Sequence, residues 1–309
     1  MTKYILLRIL QAIPTIWIII TLSFILMHAV PGGPFDGEKA VSPEIQKNLE
    51  KKYNLDKPLY KQYLIYVNNL LHGDLGPSFK YKDYTVNELL YDGFPVSLTL
   101  GLSAMLLALL IGVSFGVMAA KYQNKFIDYC MMLFALVGMS IPSFVIAPML
   151  VLIVAIKFQI LPAGEWQGPF AFKYLILPIF ALSLPMIAYI TRIMRSSMIE
   201  VLRSNFIRTA RAKGLPEWKV LVFHALKPAM LPVVSFVGPA LATIVTGSIV
   251  IEKIFGLPGI GQHFVQGAIN RDYTLVMGVV ILSATLIIIC NLLVDIIYAV
   301  IDPKVRYAK

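Results

Sequence analysis

Six apolar runs divide the chain, and polar segments of very unequal length separate them. The runs are Ile9–Val30, Val96–Ala120, Tyr129–Ile156, Tyr174–Thr191, Ala229–Ile251 and Thr274–Ile301. A helix needs about 20 apolar residues to cross ~30 Å of hydrocarbon, so the pattern predicts six membrane spans. The third run has 28 residues and contains Pro142 and Pro148. It is too long to stand upright and is expected to tilt or break.

The polar loop at 31–93 holds short helices of its own. Pro31-Gly32-Gly33-Pro34 ends the first span. Ser42-Pro43-Glu44 reads as a helix start, after which Ile45, Leu49 and Tyr53 share a face. Pro58 opens a second helix carrying Leu59, Tyr63, Val67, Leu70 and Leu71, and Gly73 stops it. The many aromatics suit a lipid–water interface. A small helical cap packed on the spans fits this pattern, with direct ligand contact as the alternative. In the second run Gly112 and Gly116 stand four apart, which lets another helix approach closely. In the third run, Ile141-Pro142-Ser143-Phe144 reads as a pathway element or as a structural kink. A proline within a span leaves carbonyls that a neighbour or a cavity must satisfy.

The second half of the chain has one long polar interruption, Arg192–Pro232. It carries eight bases (Arg192, Arg195, Arg203, Arg208, Arg211, Lys213, Lys219, Lys227) against two acids, Glu200 and Glu217. Ile199, Leu202, Phe206 and Ala210 fall on one helical stripe, with Ser204, Arg208 and Arg211 opposite. Gly214 is predicted to take a positive φ just beyond that helix. Pro216 suits the first position of a new helix, with Glu217 near its positive end. A solvated loop on the basic side of a membrane accounts for the charge. It does not account for the shaped turn Ala210-Arg-Ala-Lys-Gly-Leu-Pro216, which has the form of a docking element.

Composition agrees with the spans. Hydrophobic residues make up 58% of the 309 and charged residues 14%, which excludes ordinary soluble domains. Lys3 and Arg8 precede 22 apolar residues with no small-x-small cleavage site, so a retained anchor is expected rather than a signal peptide. Six spans put both termini on one side. With the N-terminus inside, that side carries 15 Lys and Arg and a net +11, while the other balances 12 bases with 12 acids. Asp295, within the sixth run, completes the formal +10. The excess charge lies at the inner face with Arg192–Lys227 and calls for no nucleic acid. Cys130 and Cys290 lie in apolar runs and are expected as inert buried thiols.

The motifs of catalysis and nucleotide binding are missing. No G-x-x-x-x-G-K-[ST] occurs, and Gly256, Gly259 and Gly261 do not match G-x-G-x-x-G or follow a strand. His28, His72, His224 and His263 lack metal-ligand spacing. There is no G-x-S-x-G elbow and no His-Glu-x-x-His. The chain is read as non-catalytic, with no metal and no cofactor of its own. Two acids stand out. Asp295 shares a face with Asn291 and is expected in a structural ion pair, within reach of Lys304 or Arg306, an ion relay being the alternative. Glu252, at the outer mouth of span five, either faces a pathway or pairs with Lys253 or Arg271.

Ile207-Arg-Thr-Ala-Arg-Ala-Lys-Gly-Leu-Pro216, followed by His224-Ala-Leu-Lys-Pro228 and Leu231-Pro232, resembles the cytoplasmic "EAA" loop of permease subunits in binding-protein-dependent ABC importers. Its Ala-Arg-Ala-Lys-Gly form is similar to the peptide and nickel branch. So are Glu252-Lys-Ile-Phe-Gly-Leu-Pro-Gly-Ile-Gly261, Asn270-Arg-Asp-Tyr273 and the stretch Val294–Pro303. Ala29–Pro34 and His72–Tyr84 resemble the oligopeptide members of that branch, and the resemblance covers essentially the whole chain. One departure is Thr209, which stands where the generic pattern has its first Glu, so no role passes to that acid.

The resemblance implies an all-α integral membrane protein with the type I importer permease (MetI-like) fold. Residues 1–93 would form the first span and a large periplasmic loop. Residues 94–309 would form a five-helix core with its cytoplasmic coupling loop at about 195–228. The implied place is the bacterial inner membrane, with both termini cytoplasmic. The implied partners are a homologous second permease, two ATPase subunits that bind ATP and Mg, a periplasmic peptide-binding protein, oligopeptide cargo and membrane lipid. Arg208, Thr209, Ala210, Arg211, Ala212, Lys213, Gly214, Leu215 and Pro216 would engage the ATPases. Pro142, Ser143, Phe144 and Glu252 are the pathway candidates, and Asp295 the ion-pair candidate. A dipeptide or nickel importer is the near alternative. An intramembrane enzyme would need a second acid near Asp295, and a passive channel would need no docking turn.

Overall fold

The structure is a computed structural model that describes residues 2–29, 33, 35 and 43–301, and its regular elements are all helices. The end of the first span at Val30, most of the Pro31–Pro34 stop, Ser42 and the segment Asp302-Pro303-Lys304 lie outside the described residues. Among the described residues five helices are long and apolar enough to cross a membrane, and a helix pair bent at a short break brings the number to six when it is counted as one span. The helices make the protein a multi-pass membrane protein.

Hydropathy locates the spans but not their full lengths. Helix α1 covers Thr2–Ala29, and α2 (Pro43–Lys52) and α3 (Leu59–Leu71) follow in the polar loop. Helix α4 runs from Val86 to Lys121, beginning well before the apolar run at Val96. Its start is set by a capping box. Glu88 N–H donates to Thr85 Oγ1 at 3.2 Å, and Thr85 N–H donates to the Glu88 carboxylate at 2.8 Å. These polar residues satisfy two otherwise orphaned donors. Helix α7 (Phe172–Leu202) likewise continues past Thr191 through the first part of the basic segment.

The third run breaks. Helix α5 (Phe126–Ser140) and α6 (Ser143–Leu150), which continues as a π-helical stretch over Val151–Lys157, meet at 98°. Ile141 is extended (φ −91°, ψ 118°), as a residue before proline prefers, and Pro142 then leads into α6. Pro148 sits inside α6 without interrupting it.

After α7 come α8 (Asn205–Ala212), α9 (Glu217–Lys219), a π-helical turn over Val220–Ala225, and α10 (Leu226–Ala229). Then follow α11 (Leu231–Gly247), α12 (Ile249–Ile254), α13 (Ile260–Ile269) and α14 (Tyr273–Ile301).

The main core joins α4, α7, α8 and α11 around Ala108, Ile187, Ile190, Met194 and Met198. Its seam is close, with side chains of α7 seated directly against glycines of α4. A Cβ on Gly112 would lie 2.8 Å from Ile190 Cβ, and one on Gly116 would lie 2.5 Å from Met194 Cβ and 2.8 Å from the Thr191 carbonyl oxygen. The glycine pair thus brings two helices of the same chain together. A second core packs the N-terminal parts of α4 and α7 (Val96, Leu100, Leu175, Ala181) on Ile251, Phe255 and Leu257.

Helix α3 packs on α1 and α14 through Phe24, Tyr63, Tyr66 and Tyr273. The loop after it is fastened by wholly buried Asp272, which accepts from Ser78 Oγ, from Lys80 N–H at 3.3 Å and from Leu275 N–H at 3.2 Å. This is the helical cap expected from the loop pattern. Cys130 and Cys290 are unpaired and half-buried rather than fully enclosed.

Candidate functional site

The basic segment is a helix–turn–helix mounted on the end of α7. The chain leaves α7 at Arg203, and Ser204 takes an extended conformation (ψ 155°) with its hydroxyl donating to the Val201 carbonyl at 2.6 Å. This break shifts the helical register. The predicted stripe of Ile199, Leu202, Phe206 and Ala210 assumed one continuous helix. In the structure Phe206 is exposed, and wholly buried Ile207 takes the inward position beside Ala210. The opposite face of α8 presents Arg208, Thr209, Arg211 and Ala212 to solvent, followed by exposed Lys213 and Gly214.

The turn after α8 is a Schellman motif. Gly214 N–H donates to the Arg211 carbonyl at 2.9 Å, and Leu215 N–H donates to the Ala210 carbonyl at 3.4 Å. Gly214 has φ 76°, a left-handed conformation that side chains with a Cβ disfavour. Leu215 is half-buried against the main core. Pro216 is extended (ψ 145°), so the next helix opens at Glu217 rather than at the proline.

Arg211 does not stand free. Its Nη2 lies 2.6 Å from Glu217 Oε1 and its Nε 3.2 Å from Oε2, closing the turn with a two-pronged ion pair. Glu217 thereby pushes the guanidinium above its ordinary pKa.

Two features of this end escaped the sequence reading. Arg195 is a structural residue. Its Nε and Nη2 donate to the two oxygens of buried Asp128 at 2.6 and 2.7 Å, fixing the start of α5 on α7. Nothing in the count of loop charges separated this pair from its neighbours. The second feature is an exposed apolar group beside the turn, in which Trp218 and Phe223 meet edge-to-face at 6.0 Å. Two large aromatics in a segment otherwise rich in bases were the available signal.

At the opposite end Glu252 does not line an open mouth. It is wholly buried. Its Oε1 accepts from Ser97 Oγ at 2.7 Å and from Ser248 Oγ at 2.6 Å, and Ser97 Oγ in turn accepts from Ile260 N–H at 2.9 Å. Its partners are these hydroxyls, not Lys253 or Arg271. The reason is the glycine-rich turn, which folds over the carboxyl. A Cβ on Gly259 would lie 2.2 Å from Glu252 Cδ, and one on Gly261 would lie 2.9 Å from Oε2. The carboxyl therefore joins α4, α12 and α13 at one point.

Pro142 and Phe144 are exposed at the break between α5 and α6, with Ser143 half-buried beside them. Asp295 is ion-paired with Arg8 of α1, Nε to Oδ2 at 3.0 Å, so its partner comes from the first span. The expected partners Lys304 and Arg306 lie outside the described residues. Among the described residues no three His, Cys, Asp or Glu side chains are grouped to hold a metal ion.

Residues 112–307 match the family described as binding-protein-dependent transport system inner membrane component, and residues 1–101 match the N-terminal family of the same membrane components. The chain belongs to this family. The relatives of this inner membrane component include the oligopeptide transport system permease protein OppB of Salmonella typhimurium. That protein is 59% identical over 307 residues, covering 99% of this chain and 100% of the relative. The dipeptide transport system permease protein DppB of Bacillus subtilis is 42% identical over 309 residues, covering 100% and 99%. An inward-facing structure of the MetNI methionine ABC transporter aligns at a TM-score of 0.58 and 18% identity, over 69% of this chain and 96% of that one, which establishes the shared MetI-like fold.

Proposed function

We propose that this inner membrane component is one of two homologous permeases of an oligopeptide importer. It forms half of the translocation pathway and is driven by ATPase subunits through its projecting turn. The observation that carries this reading is the exposed α8–Gly214–Pro216 turn, capped, cross-braced by Arg211–Glu217 and mounted directly on a membrane-crossing helix. A loop that merely carried charge would need none of this construction. Full-length identity of 59% to an oligopeptide permease, against 42% to a dipeptide one, supports oligopeptides as the cargo.

In this reading Arg208, Thr209, Ala212 and Lys213 meet the ATPase surface, while Ala210, Leu215 and the Arg211–Glu217 brace hold the turn in shape. ATP and Mg bind to the ATPase subunits, and a periplasmic binding protein delivers the peptide. The 1–93 region caps the five-helix core, 94–309, on the periplasmic side, and both termini are cytoplasmic. Pro142, Ser143 and Phe144 border the pathway. Glu252 acts behind it, holding the outer turn closed.

The test is uptake of labelled peptides by vesicles containing the chain with its partner permease, ATPases and binding protein. Uptake that needs ATP and every partner, and that accepts peptides longer than two residues, is expected. Uptake confined to dipeptides would assign the chain to the neighbouring transport class. Flux without ATP would make it a channel.

A further inference from the structure

The cleft between α1 and α14 leads to a further site. At one end of it lie Arg8 and Asp295, joined at 3.0 Å, with the Arg8 side chain 45% exposed. The cleft encloses about 410 Å³ and adjoins a second one of about 510 Å³ through shared Thr15 and Ile288, so a single groove runs from the helix pair toward Thr246, Ile249 and Phe264. The surrounding faces of both helices are exposed and apolar, including Leu10, Ile13, Ile289 and Leu293. They belong to the stretches long enough to cross the bilayer, so this groove opens to lipid.

The polar groups inside the groove are arranged by depth. Arg8 lies two residues before the apolar stretch that begins at Leu10, and Asp295 lies three before the end of the α14 stretch at Tyr298. Both therefore sit near headgroup level. One helical turn deeper on each helix is an amide, Gln11 on α1 and Asn291 on α14, at spacings of three and four residues that share a face. The neighbouring hydroxyls are satisfied on their own helices: Thr15 donates to the Gln11 carbonyl at 2.9 Å and Thr285 to the Ile281 carbonyl at 2.8 Å. The side-chain amides of Gln11 and Asn291 have no hydrogen-bond partner among the described residues. Polar groups left unpaired at membrane depth are costly, so this order of groups calls for a matching occupant.

We propose that the groove binds one phospholipid with a phosphoethanolamine headgroup. Its phosphate faces Arg8, and its primary ammonium faces Asp295. Its ester carbonyls accept from the amides of Gln11 and Asn291 one turn deeper, and an acyl chain follows the apolar groove past Thr15 and Ile288. The charge pattern selects this headgroup. A guanidinium beside a carboxylate is complementary to a zwitterion, whereas an anionic headgroup would meet Asp295 as well as Arg8. A quaternary choline has no N–H to donate to the carboxylate.

The test uses the assembled importer, equilibrated with equal amounts of phosphatidylethanolamine, phosphatidylcholine and phosphatidylglycerol of identical acyl chains. Retained lipid is then read by native mass spectrometry. Selective retention of phosphatidylethanolamine is expected, falling about tenfold in Arg8→Gln, roughly what one charge-assisted hydrogen bond is worth. The double variant Gln11→Leu/Asn291→Leu keeps the ion pair and should lower retention similarly, so it decides the matter where Arg8→Gln fails to assemble. Equal retention of the three lipids, or unchanged retention in the double variant, overturns the proposal. So does release of the second permease by the double variant with no lipid retained, because the groove would then be a subunit contact.

Discussion

Gly214 and Gly116 are both required to be glycine, for opposite physical reasons. A Cβ on Gly214 would touch nothing within 4 Å, so only its φ of 76° resists substitution. Gly214→Val should strain the turn by about 1–3 kcal/mol, leaving insertion and pairing intact but lowering recovery of the ATPases in pull-downs at equal membrane abundance. Full recovery together with full uptake would return the basic segment to an ordinary solvated loop. Gly116 has ordinary torsions but no space, and Gly116→Val should reduce folded protein in a thermal melt before any docking is tested. The two arginines divide in the same way. Arg195→Ala leaves the buried Asp128 with only the Asn124 N–H, 2.9 Å away, and should cost about 1.5–3 kcal/mol, the worth of a charge-assisted hydrogen bond. Arg211→Ala loses an exposed pair worth about 0–1 kcal/mol. Comparing the melting temperatures of the two variants checks that ranking. The positive φ of Gly214 was legible because a glycine past a helix end has few other uses. The clasp around Glu252 was not legible, since no local pattern states that Gly259 and Gly261 are small to admit a side chain from the preceding helix.

Among the elements, the broken span separates readable from unreadable structure. Its excess length and Pro142 foretold a break, but not the 98° between its halves, which depends on what α5 and α6 each pack against. Pro142→Ala restores an amide donor and permits α5 to continue. Slower uptake with normal insertion is expected if the break borders the pathway, whereas the parental uptake rate would leave it a structural bend. The misread stripe through Phe206 has a similar origin. The period of 3.6 runs on in the sequence because the interruption at Arg203-Ser204 uses residues that helices also accept. The early start of α4 was hidden for the converse reason, because Thr85 and Glu88 are polar and hydropathy gives them no weight.

For the whole molecule, charge sets the expected orientation. A reporter fused after Gly73 should register outside and one after Glu217 inside, and reversed signals would move the turn to the wrong side for ATPases. The glycine seam between α4 and α7 has a mechanical consequence. Because Gly112 and Gly116 let Ile190 and Met194 of α7 seat directly against the α4 backbone, the two helices resist sliding and move as one stiff beam. Helix α7 has 31 residues, about 46 Å at 1.5 Å each. A tilt of ten degrees about its midpoint would swing each end by roughly 4 Å, in opposite directions. One end carries the exposed turn, and the other packs against Ile251, Phe255 and Leu257 beside the Glu252 clasp. The beam is thus a seesaw of near-equal arms, so a push of a few ångströms on the turn reaches the far end of the membrane with its amplitude intact and its sense reversed.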